Sequence, residues 1–306
     1  MKNKKSNIPT FVSAAGLACL LLVAGCSQDD ALISADDAED NSNAIRFTTA
    51  IAGFTGSDAA DTPGTRTTIN DEDGTGSFAN GDETMIRGFI FNSTPFVEKE
   101  HPATYNGGTW TTSMTWDEFG EGAEVSFSAF FPKRSSDDFD ENGRMEINLP
   151  TNQSTPEQHA AYDWLYATAA GTKADSPIQL TFSHLMHRLT VNLSLSATSG
   201  TLTQADVDNA KVVIKNMYFK GLVAKNGRVV SRAIADAKDN FTPLKSASGN
   251  SFRVLLLPQS VTPGTPWIEI TVGSRTVIYN VPATLTVLEG GKEQVVNLTL
   301  TDSGAS

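Results

Sequence analysis

A chain of 306 residues that is 39% hydrophobic and 19% charged has length enough for two domains and is too apolar to be disordered throughout. Its net charge of −12, from 35 acids against 23 Lys and Arg, excludes nucleic acid and anionic lipid as electrostatic partners. Two cysteines exclude a disulfide framework, and no Cys/His spacing suits zinc.

The first element is an address. Lys2, Lys4 and Lys5 precede an apolar run at 11–23, which closes on Leu22-Val23-Ala24-Gly25-Cys26. Small residues ahead of a cysteine, after a basic and apolar leader, mark the lipobox of a bacterial lipoprotein signal peptide. The alternative, a transmembrane helix over 8–25, sits at the short end for a span and carries small and polar residues. Cleavage between Gly25 and Cys26 removes residues 1–25 with three lysines and no acids, which takes the charge from −12 to −15. Cys19 leaves with the leader, and Cys26 becomes an acylated thioether, so no redox or nucleophilic cysteine remains. Several acyl chains then anchor the protein firmly to a membrane that it does not span. Residues 26–44 follow as an acidic linker, with six acids and no base.

From residue 45 onward, short alternating runs bounded by Gly, Pro, Asn and Asp predict strands. Ile45, Phe47, Thr49 and Ile51 share one face of the first, with Arg46 and Thr48 opposite. A mostly polar loop is expected over 53–67. Further strands are expected at 85–92, 109–115, 123–131, 145–149, 164–168, 178–195, 210–220, 252–257, 267–272, 275–281 and 294–301. The alternation is clearest where Leu185, His187, Leu189, Val191, Leu193 and Leu195 stand against Arg188, Thr190, Asn192 and Ser194. Helix is scarce: Ser154 can cap a short one with Glu157 completing a capping box, and 203–207 can make another turn or two. The GTKADSP stretch at 171–177 divides the folded part into 45–173 and 174–306, each a comfortable size for one β-sandwich.

Candidate chemistry is sparse. His184 and His187 are three apart, which in a strand places them on opposite faces, so each reads as a packed strand residue before a metal ligand. Asp71–Gly76 has the composition of a calcium loop but lacks the later bidentate Glu, and a turn fits better. Asp137 and Asp138 sit in a loop where a solvated turn is expected. Trp110, Trp116, Trp164 and Trp267 can either line a sugar platform or pack in strands. No cofactor and no catalytic constellation is expected.

Several segments in order carry a resemblance. They are the lipobox, Thr65-Arg66-Thr67-Thr68 after the first strand, Asn80-Gly81-Asp82, and Val125-Ser126-Phe127-Ser128-Ala129-Phe130-Phe131-Pro132. Asp163-Trp164-Leu165-Tyr166-Ala167, Phe182-Ser183-His184, Leu257-Pro258-Gln259 and Leu288-Glu289-Gly290-Gly291-Lys292-Glu293 complete the series. Together the chain resembles the fimbrillin (Mfa-like) family of Bacteroidetes fimbrial subunits. Ser27-Gln28-Asp29-Asp30 is similar to the acidic export tag of outer-membrane surface lipoproteins of that group, and equally to a plain spacer.

The resemblance implies an all-β fold of two tandem transthyretin-like β-sandwiches. It also implies a non-enzymatic, adhesive subunit of a surface fimbrium, anchored by lipid in the outer membrane. Other fimbrial subunits are then its partners by donor-strand exchange, with a host or bacterial surface receptor as a further one. In such subunits an Arg-specific protease removes the first strand, and a neighbour's strand replaces it by β-augmentation. If the subunit polymerises, Arg66, at the end of the polar loop, is the expected maturation site and Arg46 the alternative; a permanently anchored base subunit is expected to stay uncleaved. A second reading is a surface lipoprotein that binds glycans through exposed aromatics.

The lipobox generates a direct expectation. Cys26→Ala abolishes metabolic labelling by fatty acid and releases the protein from membranes; labelling that persists rejects the anchor.

Overall fold

The computed structural model describes residues 43–56, 76–91, 93–197, 200–231, 237–247, 249–302 and 304–305. Eight strands come first: β1 Phe47–Ile51, β2 Glu83–Ile90, β3 Val97–Asn106, β4 Thr109–Thr112, β5 Val125–Phe131, β6 Arg144–Asn148, β7 Leu165–Gly171 and β8 Ile178–His184. All but β6 form one sheet that closes on itself as a barrel, in the order β1-β4-β3-β2-β5-β7-β8. The all-β reading therefore holds, with the first sheet closed rather than open. Closure suits the sequence: β5 reads VSFSAFF, and its Val125, Phe127 and Ala129 point inward, with at most 1% exposure. Around them pack Ile45, Phe47, Ile86, Trp110, Met114, Leu180 and Phe182.

The remaining strands are β9 His187–Leu195, β10 Lys211–Tyr218, β11 Lys220–Ala224, β12 Val229–Ser231, β13 Lys238–Phe241, β14 Leu244–Lys245 and β15 Ser251–Leu256. They continue with β16 Gln259–Ser260, β17 Pro266–Val272, β18 Arg275–Asn280, β19 Val287–Leu288, β20 Glu293–Thr301 and β21 Gly304–Ala305. A five-stranded sheet, β14-β15-β9-β20-β21, and a four-stranded one, β13-β10-β17-β18, turn their apolar faces into a second hydrophobic cluster. Leu189, Val191 and Leu193 of β9 meet Ile214 of β10, Ile268 and Ile270 of β17, and Leu298 and Leu300 of β20 there. Two apolar faces buried against each other are the ordinary logic of a β-sandwich. Within this sheet β20 runs parallel to β9, with Glu293 opposite Arg188 and Leu298 opposite Leu193.

The chain does not divide its sheets at residue 173. β8, beyond the 171–177 stretch, still closes the barrel, while β6 from the first half pairs with β11. Between β8 and β9 the expected single strand 178–195 is broken at Leu185-Met186. His184, Leu185, Met186 and His187 are all buried, so alternation is lost where the chain passes from one hydrophobic cluster to the other.

Two other sequence expectations shift. The strand β3 reads VEKEHPATYN: its first half is mostly polar and Pro102 interrupts it, so only Ala103 and Tyr105 at its end alternate into the core, and pairing along β2 and β4 holds the rest. The short helix α1, Pro156–Ala160, is capped by Thr155 and not Ser154, with Gln158 returning the bond to the Thr155 N–H. That places Pro156 at the first helical position, where its missing N–H costs nothing. The second helix, α2, spans Gln204–Asp208, where it was expected.

The β9 register sets a test. Leu193 is 1% exposed, and Leu193→Ala lowers the unfolding free energy by about 2–5 kcal/mol. Asn192→Ala, on the opposite and only partly buried face, removes the bond from Asn192 Nδ2 to Asn297 Oδ1 (2.9 Å) and costs no more than about 1 kcal/mol. Urea midpoints at constant slope measure both, and equal effects reject the register.

Candidate functional site: the seat of the first strand

β1 is held from both sides by main-chain bonds. It runs antiparallel to β4, with Phe47 opposite Trp110, and parallel to β8 over five positions from Phe47–Ile178 to Ile51–Phe182. Bonds continue beyond its ends, from Ile45 N to the Met114 carbonyl (3.0 Å), from Ile178 N to the Arg46 carbonyl (2.8 Å), and from Ala52 N to the Phe182 carbonyl (2.8 Å). Aromatic and β-branched residues suit this paired geometry. Phe47 is fully buried, its ring edge-on to Phe127 at 5.1 Å. Burial of Ile45 and Phe47 contributes about 3–6 kcal/mol, a large share of the roughly 5–15 kcal/mol that holds a domain folded.

The segment does not end with the strand. Phe54, expected in a polar loop, is 7% exposed and belongs to the second cluster. Its ring stacks on His184 at 3.8 Å with an interplanar angle of 16°, and the Arg188 guanidinium lies 4.5 Å from its centroid. Thr55 bridges in parallel to Lys292, its N–H donating to the Gly291 carbonyl (3.0 Å) and its carbonyl accepting from Glu293 N (2.8 Å). Gly56 has φ +106°, and a Cβ there would come 3.0 Å from the Glu293 carbonyl oxygen, so glycine is required.

The walls of this slot are polar and paired. His184 Nδ1 donates to Asp163 Oδ1 (2.6 Å). Arg188 Nη2 donates to Glu293 Oε2 (2.8 Å), and Thr190 Oγ1 to Glu293 Oε1 (2.6 Å). Both charged side chains of the Arg188–Glu293 pair are at most 3% exposed. Such a pair adds little stability against an apolar substitute of similar volume, but losing one partner strands the other's charge. Next along β9, His187 Nδ1 donates to the Glu289 carbonyl (3.0 Å). Burial is the main reason that its pKa falls to about 4, against the weaker upward pull of the Glu289 carbonyl, Glu293 and Glu289.

Of the residues anticipated from sequence, Gly25, Cys26 and Arg66 lie outside the described residues, as do Asp71 to Thr75 of the DEDGTG run. Arg46 is exposed, opposite the buried faces of Ile45 and Phe47. His184 and His187 are both buried but engage different partners. Asp138 caps a short 3-10 turn by accepting from Ser135 N (2.7 Å), the local turn expected of that loop. The four tryptophans are at most 5% exposed and so line no surface platform. Among the described residues no group of three or more His, Cys, Asp or Glu is placed to hold a metal, and no helix is long and apolar enough to cross a membrane.

Sequence reasoning missed Arg188, Glu293 and Phe54. Arg188 and Thr190 lie on the polar face of β9, yet they are 2% and 6% exposed because the 52–56 segment and the start of β20 cover that face. No local signal announces this, since the cover comes from the two ends of the folded chain.

The fimbrillin-like family model matches residues 62–306. β1 and Phe54 lie just ahead of the matched range. Among solved structures, the chain is similar to a candidate cell adhesion protein from Bacteroides ovatus, with TM-score 0.60, 18% identity, and 86% of this chain and 94% of that one covered. A second candidate cell adhesion protein, from Bacteroides uniformis, gives TM-score 0.58 and 17% identity over 74% of this chain and 89% of that one. At such identities the likeness speaks for the fold. No curated protein matches the chain.

His187 gives a pH test. It is neutral in the folded protein down to about pH 4 and protonates near 6.5 once unfolded, so its contribution is complete above pH 6.5 and is lost as pH falls toward 4. Between pH 7 and 4.5 the wild type loses about 2 kcal/mol more stability than His187→Gln. Parallel losses in urea titrations of the two proteins reject this assignment.

Proposed function

The chain belongs to the fimbrillin-like family, and from that premise we propose that it is a subunit of a cell-surface fimbria assembled by proteolysis-linked strand exchange. Fimbrillins are structural and adhesive proteins, and a role among other fimbrial subunits follows from membership. The finer reading rests on one observation: β1 alone bridges the edges of β4 and β8 and closes the barrel. Its withdrawal leaves two rows of unpaired backbone groups beside the exposed faces of Phe127 and Trp110, which a strand of like pattern from a neighbour satisfies.

Backbone pairing at Arg46 supports the choice of cleavage site. A cut after Arg46 falls in paired backbone, because the Arg46 carbonyl accepts from Ile178 N. Proteases need an extended, unpaired segment. Arg66 stands beyond Gly56, the last residue described before Gly76, and a cut there frees β1 and the Phe54 segment together with the linker.

Acylation of Cys26 and display at the outer membrane belong to the same proposal, supported by the leader and lipobox. So do two tandem domains, supported by the two separate hydrophobic clusters.

N-terminal sequencing of surface-assembled protein tests the maturation step. A chain that starts at Thr67 is expected. A start at Phe47 moves the site to Arg46, and polymer that retains acylated Cys26 overturns proteolytic maturation.

A further inference from the structure

We propose that the Phe54 slot is a binding site for an aromatic side chain on an extended segment of another subunit, read as aromatic-x-Gly. The inference rests on the strand-exchange reading above and adds what the incoming segment must carry besides strand pattern. The second observation is that the released piece fills two separate places: Phe47 in the barrel and Phe54 seven residues later in the other cluster. A donor that supplied only a barrel strand leaves the second place empty.

The slot is built for one chemistry. One wall is the flat face of His184 and another the Arg188 guanidinium, which together favour a π-face over an aliphatic side chain. Both walls are fixed from behind, His184 by Asp163 and Arg188 by Glu293, which Thr190 also holds. The geometry is therefore set by groups other than the Phe54 ring, and an incoming ring enters a preorganised site. Beside it, the Gly291 carbonyl and the Glu293 N–H offer one acceptor and one donor to the residue after the aromatic, as they do to Thr55. The position after that must be glycine, for the close approach to the Glu293 carbonyl and the φ of +106°. Residues 293–306 contain no aromatic and so do not supply this anchor.

The test uses the full chain with the recognition sequence of a site-specific protease substituted at residues 62–68. After cutting, a fluorescent synthetic peptide of residues 43–56 is added in excess, and its capture is followed by anisotropy and gel filtration. All variants are made in the peptide, so protein folding is not at issue. Peptides with Phe54 and Phe54→Tyr are expected to enter with similar affinity, Phe54→Leu about tenfold more weakly, and Gly56→Ala more weakly still. Equal capture of the Phe54, Phe54→Leu and Phe54→Ala peptides overturns the aromatic site while leaving strand exchange standing. Tolerance of Gly56→Ala overturns the glycine requirement in the motif. Capture of no peptide at all overturns strand exchange, and the site with it.

Discussion

A β-sheet has to settle its edges, and here one short strand settles two of them at once. Until β1 lies between β4 and β8, the other six strands form a sheet with open ends and an unfilled interior. β2 with β3, β3 with β4 and β7 with β8 are sequence neighbours, and β2 with β5 and β5 with β7 pair across one or two intervening strands. β1 has the longest reach of the barrel strands on both sides, to Trp110 of β4 and to Ile178 of β8. The same segment then leaves the barrel and covers a buried ion pair in the other cluster, so both hydrophobic clusters are complete only when residues 45–56 are in place.

The polar residues beneath Phe54 are costly company for a core. Arg188, Glu293, Asp163 and His184 are all nearly inaccessible, and their pairing offsets their desolvation without adding much to it. What they provide is a wall that is selective in shape and charge, and a register. Glu293 sits directly opposite Arg188 in the parallel ladder, so a slip of β20 by one residue breaks the ion pair and turns Leu298 and Leu300 outward together.

How much of this the amino-acid sequence discloses depends on the range of the interaction. Leu189, Val191 and Leu193 declare themselves, because a strand with one covered face writes its burial in alternation. Arg188 and Thr190 write the opposite of their burial, since a polar residue satisfied by Glu293, about a hundred positions away, looks local and exposed. Phe54 between two glycines reads as loop for the same reason: its partners, His184, Arg188 and Gly291, are remote. β3 fails differently: backbone pairing on both sides holds its polar first half, and only Ala103 and Tyr105 near its end reach the core. The functional class is legible through family resemblance; the slot is legible only in the folded chain.

The long sequence separation between β1 and β8 bears on the order of assembly. Closing the loop between Phe47 and Ile178 before the intervening strands form costs conformational entropy with no contacts to offset it, which favours late docking of β1. A strand that arrives last contributes to contacts formed after the main folding barrier, so its loss speeds opening more than it hinders folding of the remainder. On that order of events the barrel's seam closes last, and β1 completes a structure already built instead of nucleating it.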